Sequence, residues 1–122
     1  MQNSQFCYTT TYLSIKYTFH FSNASFPLIE LMNFSKEGIF STVLAKSDDY
    51  NYTLMCLAAG TDIDTHTSTK NGVVQVLKGK GIFKLFDKEI EMKPGIFIFM
   101  PKDAPHSLKA DEDLAILLAL TT

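Results

Sequence analysis

Lys93-Pro94-Gly95-Ile96-Phe97-Ile98-Phe99-Met100-Pro101-Lys102-Asp103-Ala104-Pro105-His106 is the stretch on which the fold turns. Pro94-Gly95 reads as a turn, because proline presets φ and glycine accepts a positive one. The apolar run 96–100 follows, rich in the β-branched and aromatic side chains that suit a pleated strand. Both of its faces are apolar, so both need cover. Pro101 and Pro105 then fix φ on either side of a short loop, which aims His106 reproducibly.

The same grammar extends outward. Strands are expected over 39–45, 50–58, 73–77, 82–86, 89–92, 107–110 and 114–120. Ser47-Asp48-Asp49, Asp87-Lys88 and Asp111-Glu112-Asp113 punctuate them, and Gly79-Lys80-Gly81 reads as a tight reversal. Gly60 opens what reads as a polar loop running to Gly72. No segment has helical periodicity with caps, and there is no internal repeat. Short strands at this spacing predict an all-β sandwich or barrel, with closure favoured because it removes exposed edges.

Two spaced patterns give the chain a family likeness. Gly60, five residues, His66, Thr67, Ser68, three residues, Gly72, six residues and Gly79 form the first. Gly95, five residues, Pro101, Lys102, Asp103, two residues and His106 form the second. Together with Val76-Leu77-Lys78-Gly79-Lys80-Gly81, they resemble the paired motifs of small single-domain cupins over roughly residues 38–120. The resemblance implies a double-stranded β-helix, or jelly-roll barrel, with a ligand pocket around His66, Ser68 and His106. It also implies one divalent ion, zinc, nickel, manganese or iron, held on His66 and His106.

The likeness breaks at three positions. The family's second histidine falls on Ser68, its glutamate on Gly72, and a motif glycine on Asp103, which a turn tolerates. Catalytic zinc normally has three protein ligands, and non-haem iron two histidines and a carboxylate. Only two of the four usual ligands remain here. Gly72, with no side chain, is expected to leave space where the family has a carboxylate. Asp62 and Asp64 are expected to be solvated loop charges, and His20 becomes a third imidazole only if the N-terminal arm folds over the pocket. The inward set on each strand stays open, because Val74, Val76, Phe97, Phe99 and Leu117 all have apolar neighbours.

Composition bounds the function classes. The chain has 122 residues, 46% of them hydrophobic, with ten Phe, five Tyr and no Trp. That suits one globular, β-rich domain. Net charge is −2, every basic residue other than histidine is lysine, and no basic block occurs, which argues against nucleic acid. No apolar stretch is long enough to span a bilayer, and no leader pattern opens the sequence. Cys7 and Cys56 form no paired motif, Cys56 reads as a buried hydrophobe, and a reducing cytoplasm is expected.

Residues 1–31 differ from 32–122. They are rich in Ser, Thr, Tyr and Phe, and hold Lys16 and Glu30 as their charged side chains besides His20. Either they form an arm or strand covering a barrel edge, or they are an upstream extension with Met32 as an alternative start. Functionally, the residues point to a cupin binding a small molecule, with a divalent metal held weakly if at all. The alternative is a metal-dependent enzyme of isomerase, dioxygenase or decarboxylase class with a third ligand from elsewhere, and a metal-free acid–base enzyme is a further one. Two-sided apolar strands predict a homodimer.

Overall fold

The structure, a computed structural model, describes residues 25–34 and 38–122. A 3-10 turn, Leu28–Leu31, precedes nine strands: β1 (Ile39–Lys46), β2 (Tyr50–Leu57), β3 (Asp62–His66), β4 (Asn71–Lys78), β5 (Gly81–Leu85), β6 (Lys88–Met92), β7 (Phe97–Met100), β8 (His106–Ala110) and β9 (Leu114–Thr121). They form a five-stranded sheet, β1-β2-β9-β4-β7, and a four-stranded sheet, β3-β8-β5-β6. Every pairing is antiparallel. This is the all-β architecture that the strand spacing predicts and the jelly roll that the family resemblance implies.

Two local expectations need correction. The polar loop after Gly60 contains β3, whose alternation is hidden by aspartates facing outward and by an irregularity described below. The Gly79–Lys80 link is a corner between sheets and not a hairpin, since β4 and β5 do not pair. Glycine is needed there on two counts. Gly79 has φ +90°, and a Cβ on it would fall on the carbonyl oxygen of Asp113.

The inward sets are now settled. Val74 and Val76 face the core, but on β7 the inward residues are Ile98 and Met100, and on β9 Leu114, Ile116, Leu118 and Leu120. Phe97 and Phe99 point to the outer side, 60% and 52% exposed. Phe83, Leu108 and Ala110 close the core from the four-stranded sheet.

The two outer faces differ in chemistry. On the four-stranded sheet, Asp62 pairs across strands with Lys109, and Lys84 with Glu89, as a water-facing surface should. On the five-stranded sheet, Leu44, Leu54, Cys56 and Ala115 form a second apolar cluster under Phe26, Leu28, Leu31, Met32 and Phe34. Lys78 Nζ sits 5.0 Å from the Phe34 ring centre and pins that covering segment by a cation–π contact. The rest of the face has apolar rows open to water: Tyr52, Ala119, Val73 and Phe99 lie side by side across four strands. No helix of the described residues is long and apolar enough to cross a membrane.

Candidate functional site

His106 opens β8 and alternates inward with Leu108 and Ala110, which leaves it 3% exposed. His66 reaches the same face by a different route. Ile63 pairs with Leu108 and His66 with His106, so two residues of β3, Asp64 and Thr65, stand opposite the single Ser107. That bulge turns both outward and returns His66 to the core side. In a regular ladder Thr65 would face His106, and His66 would point to water.

The two rings meet with centroids 4.3 Å apart and planes at 63°. Phe83 stacks parallel beside His106, with centroids 5.8 Å apart and planes at 6°. Each imidazole is anchored by a backbone carbonyl two residues upstream. His66 Nδ1 donates to Asp64 O at 2.7 Å, and His106 Nδ1 donates to Ala104 O at 2.9 Å. A carbonyl only accepts, so both Nδ1 atoms carry a proton. Both Nε2 atoms are buried. Burial, weakly opposed by the Ala104 hydrogen bond and reinforced by the neighbouring His66, pulls the His106 pKa down to about 4. At neutral pH His106 is therefore an uncharged acceptor.

The other candidates divide. Ser68 is buried, 7% exposed, and its Oγ accepts the Lys70 N–H at 3.1 Å in a local turn. Its carbonyl accepts the Asp103 N–H at 2.7 Å, which ties the loop after β3 to the loop after β7. Asp103 adopts φ 67°, in the left-handed region, where the family pattern has glycine. Asp62 and Asp64 are exposed on the outer face, as expected of solvated charges. His20 lies outside the described residues.

The expected opening at Gly72 is not there. Gly72 is flanked on β9 by Leu120 and on β7 by Met100. A Cβ on Gly72 would stand 2.6 Å from Met100 Cε and 3.0 Å from Leu120 Cδ2. Two apolar neighbours have closed over the glycine, because an empty space of that size forfeits dispersion contacts on every side. Sequence spacing located the position but carried no signal for Met100 and Leu120 as its surroundings, nor for Phe83 beside His106.

For a divalent ion this donor set falls short. Among the described residues no group of three or more His, Cys, Asp or Glu is placed to hold a metal. What the site offers is two adjacent imidazoles against an aromatic wall, with His106 an uncharged acceptor.

Comparison with known proteins agrees with the fold. The family model described as the cupin domain matches residues 53–120. No curated protein matches the sequence. A conserved Streptococcus pyogenes protein of unknown function superposes with TM-score 0.74 at 24% identity, over 80% of this chain and 86% of that one. A cupin 2 conserved barrel domain protein from Leptotrichia buccalis gives TM-score 0.75 at 28% identity, over 80% of this chain and 47% of that one. A salicylate 1,2-dioxygenase from Pseudaminobacter salicylatoxidans gives TM-score 0.65 at 18% identity, over 72% of this chain but 27% of the larger protein.

Proposed function

This chain belongs to the cupin family, and from that premise we propose that it is a binding cupin that receives a small molecule on the Nε2 atoms of His66 and His106. The observation that carries the reading is the pair of carbonyl-anchored rings, which stand with centroids 4.3 Å apart and both Nε2 atoms buried. The ligand class that matches is a small compound with O–H or N–H donors and an apolar or aromatic body that lies against Phe83. A divalent ion is held weakly, for want of a third ligand and of any negative charge to neutralise it. Ser68 borders the site through its turn and contributes its hydroxyl to a ligand only as a second bond beside the one it makes to Lys70.

The enzyme reading, by analogy with the dioxygenase of similar fold, needs a ligand that the described residues do not place. The remaining parts of the proposal are a homodimer, paired through the open apolar face of the five-stranded sheet, and a reducing cytoplasmic setting, which suits the buried free thiol of Cys56.

The test is a titration of 15N-labelled protein with small hydroxyl and amide compounds, read at the imidazole nitrogens. The expected result is a compound that shifts Nε2 of both histidines and loses its effect in His66→Phe. Compounds that bind only elsewhere and leave both imidazoles unchanged would overturn the reading.

A further inference from the structure

Leu85-Phe86-Asp87-Lys88 closes the β5–β6 hairpin. Leu85 pairs with Lys88, so Phe86 and Asp87 are its two-residue loop. A loop of that length matches the twist of its strands when its first residue takes a positive φ, which favours glycine, asparagine or aspartate there. Here that residue is Phe86, at φ 56°. A bulky side chain in the left-handed region is strained. Burial does not offset the strain, since Phe86 is 58% exposed. Its N–H donates to Pro105 O at 2.9 Å, a bond that any residue except proline would make as well. Strain kept without a packing gain points to a use for the ring.

Phe86 and Pro105 line a notch of about 370 Å³ on the outer side of the four-stranded sheet, where His106 also borders it. Lys84 brings an ammonium to the notch, Asp87 a carboxylate, and Thr65 and Ser107 two hydroxyls. Thr65 is available because the β3 bulge turns it outward, and Lys84 stands opposite Ser107 across β5 and β8. A neighbouring hollow on the same face shares Thr65, Lys84 and Ser107 but has no aromatic wall.

We propose that this notch is a second binding site, separate from the Nε2 atoms of the histidine pair, and that it takes a small zwitterion: an amino acid with an apolar side chain.

Charge sets the class. Lys84 and Asp87 bring one charge of each sign, and His106, uncharged at neutral pH, leaves that balance unaltered. A plain anion would gain Lys84 but meet Asp87, and a plain cation the reverse. A zwitterion satisfies both. The Thr65 and Ser107 hydroxyls donate and accept, so they serve either end of it. An apolar side chain lying on Phe86 and Pro105 removes from water a ring that the isolated subunit leaves wet. The notch is also within the size range of small-molecule sites.

The experiment is a titration of the 15N-labelled full chain at pH 7 with L-leucine, isocaproate and isoamylamine. The three share one apolar group and differ in charge. L-leucine is expected to shift the amides of Thr65, Phe86 and Ser107, and to bind at least about threefold more tightly than either singly charged analogue. Phe86→Gly relieves the backbone and removes the platform. It should raise the melting midpoint by roughly 2–5 °C and weaken L-leucine about threefold or more. A residue kept only for structure would not separate stability from affinity in this way. Lys84→Gln should erase the advantage of L-leucine over isoamylamine, and Asp87→Asn its advantage over isocaproate. Glu91→Gln, exposed on the same face outside the notch, should erase neither. An analogue that binds as tightly as L-leucine, or a Phe86→Gly chain that melts lower or binds undiminished, would overturn the inference. So would L-leucine that shifts both imidazole Nε2 atoms and leaves those three amides still, since it would then occupy the histidine site alone.

Discussion

His66 faces His106 only because β3 carries one extra residue between Ile63 and His66. The bulge is small, yet it decides which side of the sheet receives the imidazole. Exchanging neighbours tests this. Thr65→His combined with His66→Thr moves the ring one place, onto the outer face where Thr65 is already exposed. The fold should survive with a loss within about 1 kcal/mol, as for a surface exchange. Ligand binding should disappear. Retained binding would show that position 66 is not part of the site.

His106 predicts an acid-sensitive fold. Its folded pKa, about 4, lies below the ordinary value of 6.5. The unfolded chain therefore takes up a proton first as pH falls. The stabilising effect of keeping this ring neutral is complete above pH 6.5, declines below it, and is exhausted near pH 4. The window is worth up to about 3 kcal/mol. Denaturant melts at pH 7 and pH 4.5 should differ by most of that amount in wild type and by clearly less in His106→Phe. A proton NMR titration placing the His106 midpoint above 6 would contradict the burial argument.

Much of this was legible in the residues, and what was not has physical causes. The juxtaposition of His66 with His106 is expected from the family likeness of the spacings Gly60, His66, Gly79 and Gly95, Pro101, His106, but the bulge that produces it is not legible in them. The strand β3 was hidden because Asp62 and Asp64 face water, and because the bulge breaks the period of two on which strand recognition depends. The inward sets of β7 and β9 were ambiguous for the opposite reason: each has apolar residues on both faces, since the five-stranded sheet buries one side and carries an apolar cluster on the other. The filling over Gly72 was invisible because a missing side chain says nothing about which neighbour takes its place.

Gly72→Glu therefore does not restore a ligand by itself. Its side chain would be driven into Met100 and Leu120, and a carboxylate would be buried among apolar groups. A loss of roughly 3 kcal/mol or more is expected, from overpacking and an unpaired charge together. Adding Met100→Ala should recover part of that stability and raise zinc affinity, by opening the space the methionine fills. Zinc affinity that rises in the single Gly72→Glu variant, without loss of stability, would show that the two side chains yield freely.

The boundary proposed after residue 31 can be tested by two truncations. A chain starting at Ser25 keeps Phe26, Leu28 and Leu31 on the second apolar cluster, and should fold cooperatively. A chain starting at Met32 keeps every strand but uncovers part of Leu54, Cys56 and Ala115. It should fold cooperatively, with a loss of about 1–3 kcal/mol from apolar burial and a greater tendency to aggregate. Failure of the shorter chain to fold would make residues 25–31 part of the domain.

The open half of the same face carries the last prediction. Tyr52, Ala119, Val73 and Phe99 form one row, and Leu117, Gln75 and Phe97 continue the next beyond the covered Leu54, with no ionisable group besides the Tyr52 phenol in either. A second copy meeting this face brings an equally uncharged surface, so neither partner buries an unpaired charge. β7 is an edge strand, and aromatic residues exposed on an edge invite association unless covered. Light scattering at micromolar concentration should therefore give twice the 13.7 kDa chain mass. Phe97→Lys with Phe99→Lys should give the monomer mass with an unchanged or slightly higher melting midpoint per chain at low concentration, because both rings are more than half exposed in the isolated subunit. Glu89→Lys, on the charged outer face, should leave the dimer intact. A wild-type chain that scatters as a monomer, or a dimer that survives both lysines, would remove this face as the interface.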